Sequence, residues 1–366
     1  MRCPGDEPWR LVGLSASVSE VHVGVIGYGL AGRLFHAPFI ASTPGMQLTH
    51  VVTRDAGRAA EVVADHPGTL VVGSLDALLE TDADLVVVAS PSRFHAEHTW
   101  QALAAGRHVV VDKPVAGHAD EFESLLEFAS ARDRKLTVFH NRRWDSDFRT
   151  LRHIVESGQL GRVHRFETRM DRWRPSGKGG WRESNDPHDL GGLRYDLGPH
   201  LVDQALLLFG PVDAVQARAV SLRAVGSYDD DVVATLRHTS GTATMISASL
   251  LTAIPGPRFR AFGLDGAALL EHADGQEDRL RAGDRPEGPG WGVEPGRSAE
   301  VVLGEDAARH EVPYLDGQWP HFYAAVRDGL NDDGQMPVTP ESALATMRVV
   351  DAIGDAARTG QTVTPR

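Results

Sequence analysis

The run VHVGVIGYGLAGRLFHAPFI, residues 21–40, decides the architecture. It opens on a mostly β-branched stretch, passes through Gly27, Gly29 and Gly32, and continues with apolar residues at helical spacing. That order reads as strand, tight turn and helix. A G-x-G-x-x-G turn in this setting is a dinucleotide fingerprint, whereas the same glycines elsewhere would say little. Gly27 makes the turn, Gly29 lets a pyrophosphate approach the backbone, and Gly32 lets the helix pack on the sheet. Tyr28, Leu30 and Ala31 supply the loop between them, and the free amides at the helix start attract phosphate.

Downstream of this unit the same alternation recurs. Strands are expected at Leu48 to Thr53, in LVVVAS at 85–90, in HVVVDK at 108–113 and in KLTVFH at 135–140, with a helix through Ala56 to Ala64. Short, continuous β-branched runs between helical stretches are the mark of parallel strands covered on both faces. Residues 21–140 are therefore expected to form an α/β, doubly wound Rossmann domain with a parallel sheet. After Arg143 the texture changes to a helix near Phe148 to Ser157, followed by strands that succeed one another without helices. These lie at Val163 to Met170, Ala214 to Leu222, Asp231 to His238, Thr242 to Leu250, Arg258 to Gly263 and Ala267 to Glu271. Residues 141–366 are read as a substrate-binding α+β domain with a mostly antiparallel sheet. Asp274 to Ser298, rich in Gly, Pro and acidic residues without periodicity, is read as a long surface loop, solvated in preference to lying over the cleft. Helices are expected again at Trp319 to Leu330 and Glu341 to Ala357, the last packing back towards the first domain.

Bulk properties remove several classes of function. A chain of 366 residues exceeds what one core usually organises, so two domains with a cleft between them are expected. Fifty acidic against thirty-seven basic residues give a net charge of -13, the wrong sign for wrapping nucleic acid or adhering to anionic lipid. Cys3 is the single cysteine, so no internal disulfide or cysteine metal cluster can form, in keeping with a reducing cytoplasm. No apolar run approaches the roughly 20 residues of a membrane span. Residues 1–20 are read as a disordered leader.

Three further segments carry chemistry. After the second strand comes Thr53-Arg54-Asp55, at the distance where a dinucleotide's adenosine ribose is held. Arg54 has the planar fork suited to the 2′-phosphate of NADP and Thr53 a hydroxyl, while Asp55 would serve NAD, so NADP(H) is preferred. Ser90-Pro91-Ser92-Arg93-Phe94-His95 ends a strand at the sheet's carboxyl edge, where Pro91 stiffens the turn beneath the nicotinamide, and His95 faces the cofactor or caps the next helix. Asp112-Lys113-Pro114 brings a lysine to the same edge, able to donate to a reacting oxygen. In Tyr195 to Asp203, Asp196 and His200 stand four apart at a helix start. Oxidising an alcohol needs a base titrating near the working pH, which points to His200, with Asp196 orienting it or holding a second hydroxyl. Asp203 reads as a helix-surface or packing residue, and no metal is expected, since hydride transfer to a nicotinamide needs none.

Taken together, the glycine loop, the Asp112-Lys113-Pro114 triplet and the Asp196 to His200 motif resemble the Gfo/Idh/MocA oxidoreductase family, from about Val21 to the C-terminus. Within it, GYGLAGRLFHAPFI, HNRRWDSDF, YDLGPHLVDQ and DGQEDRLRAG are most similar to the NADP-dependent scyllo-inositol dehydrogenase branch. The resemblance implies an open-faced second sheet used in homodimer or homotetramer contacts, and hydride exchange with a cyclic polyol or sugar, scyllo-inositol foremost. Lys113, Asp196 and His200 would be catalytic, and Asn141 and Arg142 would lie near substrate. Asp112 departs from the glutamate usual there, so Lys113 is expected to be braced differently. Keto-sugar reduction and cofactor-recycling epimerisation or elimination are alternatives within the family, and a non-catalytic dinucleotide sensor is one outside it.

Overall fold

A computed structural model describes residues 20–177, 179–180, 183–184, 186–223, 228–331 and 334–366. All but the last residue of the expected leader lies outside them. The first sheet has six parallel strands, β1 (Val21–Ile26), β2 (Met46–Val52), β3 (Leu70–Val72), β4 (Leu85–Val88), β5 (His108–Val111) and β6 (Leu136–Val138), in the order 3-2-1-4-5-6. This is the doubly wound arrangement, whose topological switch lies between β1 and β4. Valines of β4 and β5 are wholly buried because helices cover both faces. Sequence reasoning missed β3, a three-residue edge strand whose Leu70 is 60% exposed and whose apolar run is too short to stand out.

The second sheet has eight strands: β7 (Val163–Asp171), β8 (Val212–Val220), β9 (Asp231–His238), β10 (Ala243–Ser249), β11 (Phe259–Gly263), β12 (Gly266–Leu270), β13 (Ser298–Leu303) and β14 (Ala308–Pro313). Their order is 14-13-12-11-7-10-9-8, antiparallel except where β7 meets β10. The helices Ser146–Glu156, Gly198–Phe209 and Pro340–Thr359 contribute to the core on one face, and the other face is open. On β7 the two faces separate cleanly. Phe166 and Thr168 turn towards the helices, while Arg165, Glu167 and Arg169 form a charged ladder with Arg260 on the open side. β13 and β14 were not foreseen, since Arg309, His310 and Glu311 give β14 no apolar face to read.

Two corrections follow from the packing. The segment 274–298, expected to be a solvated loop, carries the helix Gln276–Ala282, and Gln276 is wholly buried. The Gln276 amide accepts from Trp291 Nε1 (2.9 Å) and from the Trp319 backbone N–H (3.0 Å), and donates to the Trp144 and Asp274 oxygens. Such a polar anchor leaves no hydrophobic period in the sequence. The core of the first sheet also recruits the far end of the chain. Trp319, Phe322, Tyr323 and Val326 of the helix Pro320–Asn331 and its approach, with Met336 and Val338 beyond it, pack with the Rossmann residues. Thr137 of β6 donates to the Val338 carbonyl at 2.8 Å. No helix among the described residues is long and apolar enough to cross a membrane.

Candidate active site

The glycine loop follows β1, and each glycine is there for a different reason. Gly27 has φ +96°, and a Cβ on it would stand 2.7 Å from the Ala89 carbonyl of the neighbouring strand end. A Cβ on Gly32 would run into the Gly27 carbonyl, so the helix can approach only without one. A Cβ on Gly29 would meet no atom within 4 Å: the backbone faces open space, which a pyrophosphate can enter. The helix begins with a π-helical stretch, Ala31–His36, continued by Ala37–Ser42. Tyr28 offers the loop its backbone only, since its side chain is buried, with its hydroxyl 3.2 Å from Asp65 and its ring edge-on to His66. The loop thus fits a dinucleotide.

At the ribose end, Asp55 caps the helix Ala56–Asp65 by accepting from the Arg58 N–H at 2.8 Å, which explains why it comes one place late. Thr53 Oγ1 accepts from the Asp55 N–H. Arg54 anchors its Nε on the Gly73 carbonyl at 2.9 Å, leaving its Nη groups to reach outward.

His95 is corrected here. Its two ring nitrogens lie 2.7 Å from the carbonyl oxygens of Pro114 and Ser90, and the ring is buried. Both ring nitrogens are thus taken up by backbone oxygens. The ring straps the turn after β4 to the turn after β5, the two loops that border the nicotinamide side. Ser90 Oγ bonds His98 Nδ1 at 3.0 Å, and Pro91 leads into the short helical turn Ser92–Phe94.

Asp112 braces backbone rather than ammonium. Its Oδ1 accepts from the Lys113 N–H at 2.7 Å, and its Oδ2 lies 3.8 Å from His36 Nε2. Burial pushes the Asp112 carboxyl up, but His36, Lys113 and His95 outweigh this and hold it at about 2. His36 and Tyr323, both fully buried, close this chain from behind through a 2.6 Å contact. The Lys113 Nζ is free to cross the cleft, where it donates to the Asp196 carbonyl at 2.6 Å and to Asp196 Oδ1 at 3.0 Å. An ammonium has three donors, and among the described residues two are engaged.

His200 opens the helix Gly198–Phe209, is buried, and its Nδ1 has no hydrogen-bond partner among the described residues. Burial drives its pKa well below the ordinary histidine value, and the nearby Lys113 and Arg142 charges push the same way, so the ring is neutral. Asn141 and Arg142 belong to the helical turn Asn141–Trp144 after β6. Asn141 is buried, while Arg142 is paired at 3.1 Å with both Asp145 and Glu277, the latter from the segment expected to be solvent. Asp203 proves to be a packing residue and not a surface one. Buried one turn beyond His200, it takes both Arg143 Nε (2.8 Å) and Nη2 (2.5 Å). Asp196 on Lys113 and Asp203 on Arg143 serve separate cations on either side of His200 in the sequence.

Sequence reasoning missed several neighbours. Arg258 spans Asp147, Thr168 and Gln204 beneath His200, and Arg172 extends the helix-facing side of β7. Only continuation of the alternation past Met170 could have flagged Arg172.

Two family profiles match this arrangement. The NAD-binding Rossmann fold of an oxidoreductase family matches residues 21–140, and the GFO/IDH/MocA C-terminal domain matches residues 148–269. The chain belongs to the Gfo/Idh/MocA oxidoreductase family. Among similar members is the scyllo-inositol 2-dehydrogenase (NADP(+)) IolW of Bacillus subtilis, 33% identical over 94% of this chain and 96% of that one. The D-glucoside 3-dehydrogenase of Escherichia coli is 29% identical over 57% of this chain and 60% of its own. An oxidoreductase from Klebsiella pneumoniae superposes with a TM-score of 0.86 at 36% identity, over 95% of each chain. In this Gfo/Idh/MocA chain, the Lys113 to Asp196 bond crosses between the two matched regions.

Proposed function

We propose that the protein is an NADP(H)-dependent dehydrogenase interconverting a secondary alcohol and a ketone on a cyclic polyol or sugar, with scyllo-inositol and scyllo-inosose the first pair to test. The observation that carries the reading is the Lys113 ammonium, held on Asp196 beside a neutral, buried His200 at the carboxyl edge of β5. The similarity to IolW supports the choice of substrate and cofactor.

In this reading the reacting hydroxyl lies between Lys113 and His200. The third Lys113 N–H donates to the hydroxyl oxygen and favours the negative charge that grows on it. His200, neutral before reaction, takes the hydroxyl proton as the carbon loses hydride. A bound nicotinamide supplies the hydride acceptor. Reduction runs the same groups backwards, with His200 returning the proton to the alkoxide. Asp196 positions Lys113, and Asn141 and Arg142 line the substrate side. Arg54, with Thr53 beside it, takes the 2′-phosphate, while Asp55 gives one carboxylate oxygen to the cap of the next helix. The open sheet face, with Val233 and Met245 exposed, is the surface for homodimer or homotetramer contact.

The test follows reduced-nicotinamide absorbance with NADP and NAD over inositols, aldoses and keto sugars, for the wild type, Lys113→Ala and His200→Ala. The expected result is NADP-dependent turnover of a polyol, lowered about 10²- to 10⁴-fold in each variant while cofactor binding persists. Near-normal turnover in both variants would remove the assignment. Arg54→Ala should raise KM for NADP about tenfold or more and leave KM for NAD unchanged.

A further inference from the structure

We propose that Arg172 grips the substrate, its guanidinium fork taking two adjacent oxygens on the wall of the cleft formed by the second sheet. The inference rests on the dehydrogenase reading above and adds a recognition element to it.

Placement comes first. The backbone hydrogen bonding of β7 continues past its last residue: the Arg172 N–H donates to the Ser249 carbonyl at 2.7 Å and the Arg174 N–H to the Leu250 carbonyl at 2.7 Å. Side-chain alternation continues with it. Phe166, Thr168 and Met170 face the helical layer, so Arg172 falls on that side, whereas Trp173, 56% exposed, falls on the other. The helix-facing side is the one where Thr168, Arg258 and Gln204 stack beneath His200. Arg172 extends that row, with Arg174, Arg142, Asp196 and Glu277 as its charged neighbours.

Pairing comes second. Every carboxylate near Arg172 already has a cation. Asp196 holds Lys113 at 3.0 Å, and Glu277 holds Arg142 at 3.1 Å and Arg281 at 2.7 Å. Arg142 is shared by two acids, Arg258 is paired with Asp147, and Arg143 with Asp203. Arg172 has neither a hydrogen bond nor an ion pair from its side chain among the described residues. It is half-buried, and the neighbouring Arg174 and Arg142 add repulsion rather than relief. A guanidinium stays charged even so. Removing it from water without a partner costs free energy, which is recovered when a ligand brings acceptors to it.

The shape of the ligand follows from the fork. Two parallel N–H groups suit two acceptor oxygens side by side, which a ring supplies as vicinal hydroxyls and an acid as a carboxylate. Lys113 and His200 would hold the reacting hydroxyl while Arg172 fixes the ring's rotation, which decides which carbon faces hydride transfer.

The experiment uses the NADP-loaded protein, wild type and R172Q, with scyllo-inositol and an inositol lacking one hydroxyl next to another. We expect R172Q to raise KM for scyllo-inositol about tenfold or more with kcat little changed, the pattern of lost uniform binding. The deoxy substrate should suffer in the wild type and suffer no further in R172Q. An unchanged KM, or an equal loss with both substrates, overturns the proposal. Calorimetric titration of the loaded protein with scyllo-inositol and with D-gluconate reads the subsite even if no polyol is turned over. Binding weakened in R172Q supports it, with the larger loss marking a diol or a carboxylate as the preferred pair. Equal affinity of the two proteins, or no binding of either probe by the wild type, overturns it.

Discussion

At the scale of single residues, burial and neighbouring charge displace the ordinary titration of Asp112, His140 and His200. His140, just beyond β6, is buried with no partner for its Nδ1 among the described residues, and its pKa falls from 6.5 to about 4. Burial is the main cause, with Arg143 and Lys113 adding to it against the pull of Asp203. Because the folded value lies below the unfolded one, the unfolded chain binds more protons between those limits. His140 therefore takes stability away as pH falls from about 6.5 to about 4. H140Q should flatten the dependence of Tm on pH across that window, and an unchanged slope would contradict the assignment. Lys113, Asp196 and His200 were legible in the sequence because charged residues ending buried strands and opening an apolar helix need a reason to be there. His95 was misread because a histidine at a ligand-binding edge looks the same whether it faces the ligand or straps two loops together. His36, which approaches Asp112 from a residue 76 positions earlier, carries no local signal at all.

Among elements, the glycine loop was the most legible, since its demands are local: a positive φ, a close approach and an open face. Two of its glycines, Gly32 and Gly29, should fail in different ways. Gly32→Ala would crowd the Gly27 carbonyl and cost about 1–3 kcal/mol of stability in the protein without cofactor, read as a lower Tm. Gly29→Ala meets no atom, so Tm without cofactor should be that of the wild type while NAD(P) affinity drops about tenfold, or 1.4 kcal/mol. Equal effects of the two substitutions on Tm would show that the loop is structural only. The elements that escaped notice are those whose reason lies in another part of the chain. β3 and β14 are edges with exposed or charged faces. The helix Gln276–Ala282 is fixed by an amide bonded to two tryptophans and a backbone carbonyl, a pattern without period.

For the whole molecule, the two sheets and their order of appearance could be anticipated, because runs of strand with and without intervening helices follow different rules. How the chain closes on itself could not. The helix that bears His200 is tied to the turn after β6 and to the helix Pro340–Thr359 by one ion pair, Arg143 with Asp203, which Thr346 and Ser342 flank. Asp203→Ala would leave the Arg143 charge buried without its partner, and should lower stability by about 3–5 kcal/mol in denaturant unfolding. A loss below about 1 kcal/mol would mean that the pair behaves like one on the surface. Replacing both partners by apolar residues should recover much of the loss.

A segment far along the chain has a part in the first sheet. β6 is its outer strand, and Met336 and Val338, together with Trp319 and Phe322, fill the core beside it. During translation the cofactor domain therefore waits, with its margin bare, until residues beyond 338 have left the ribosome. A premature stop in the second half would not yield a trimmed enzyme with an intact dinucleotide module. It would yield an unfinished first domain with a sticky border, a substrate for chaperones and proteases.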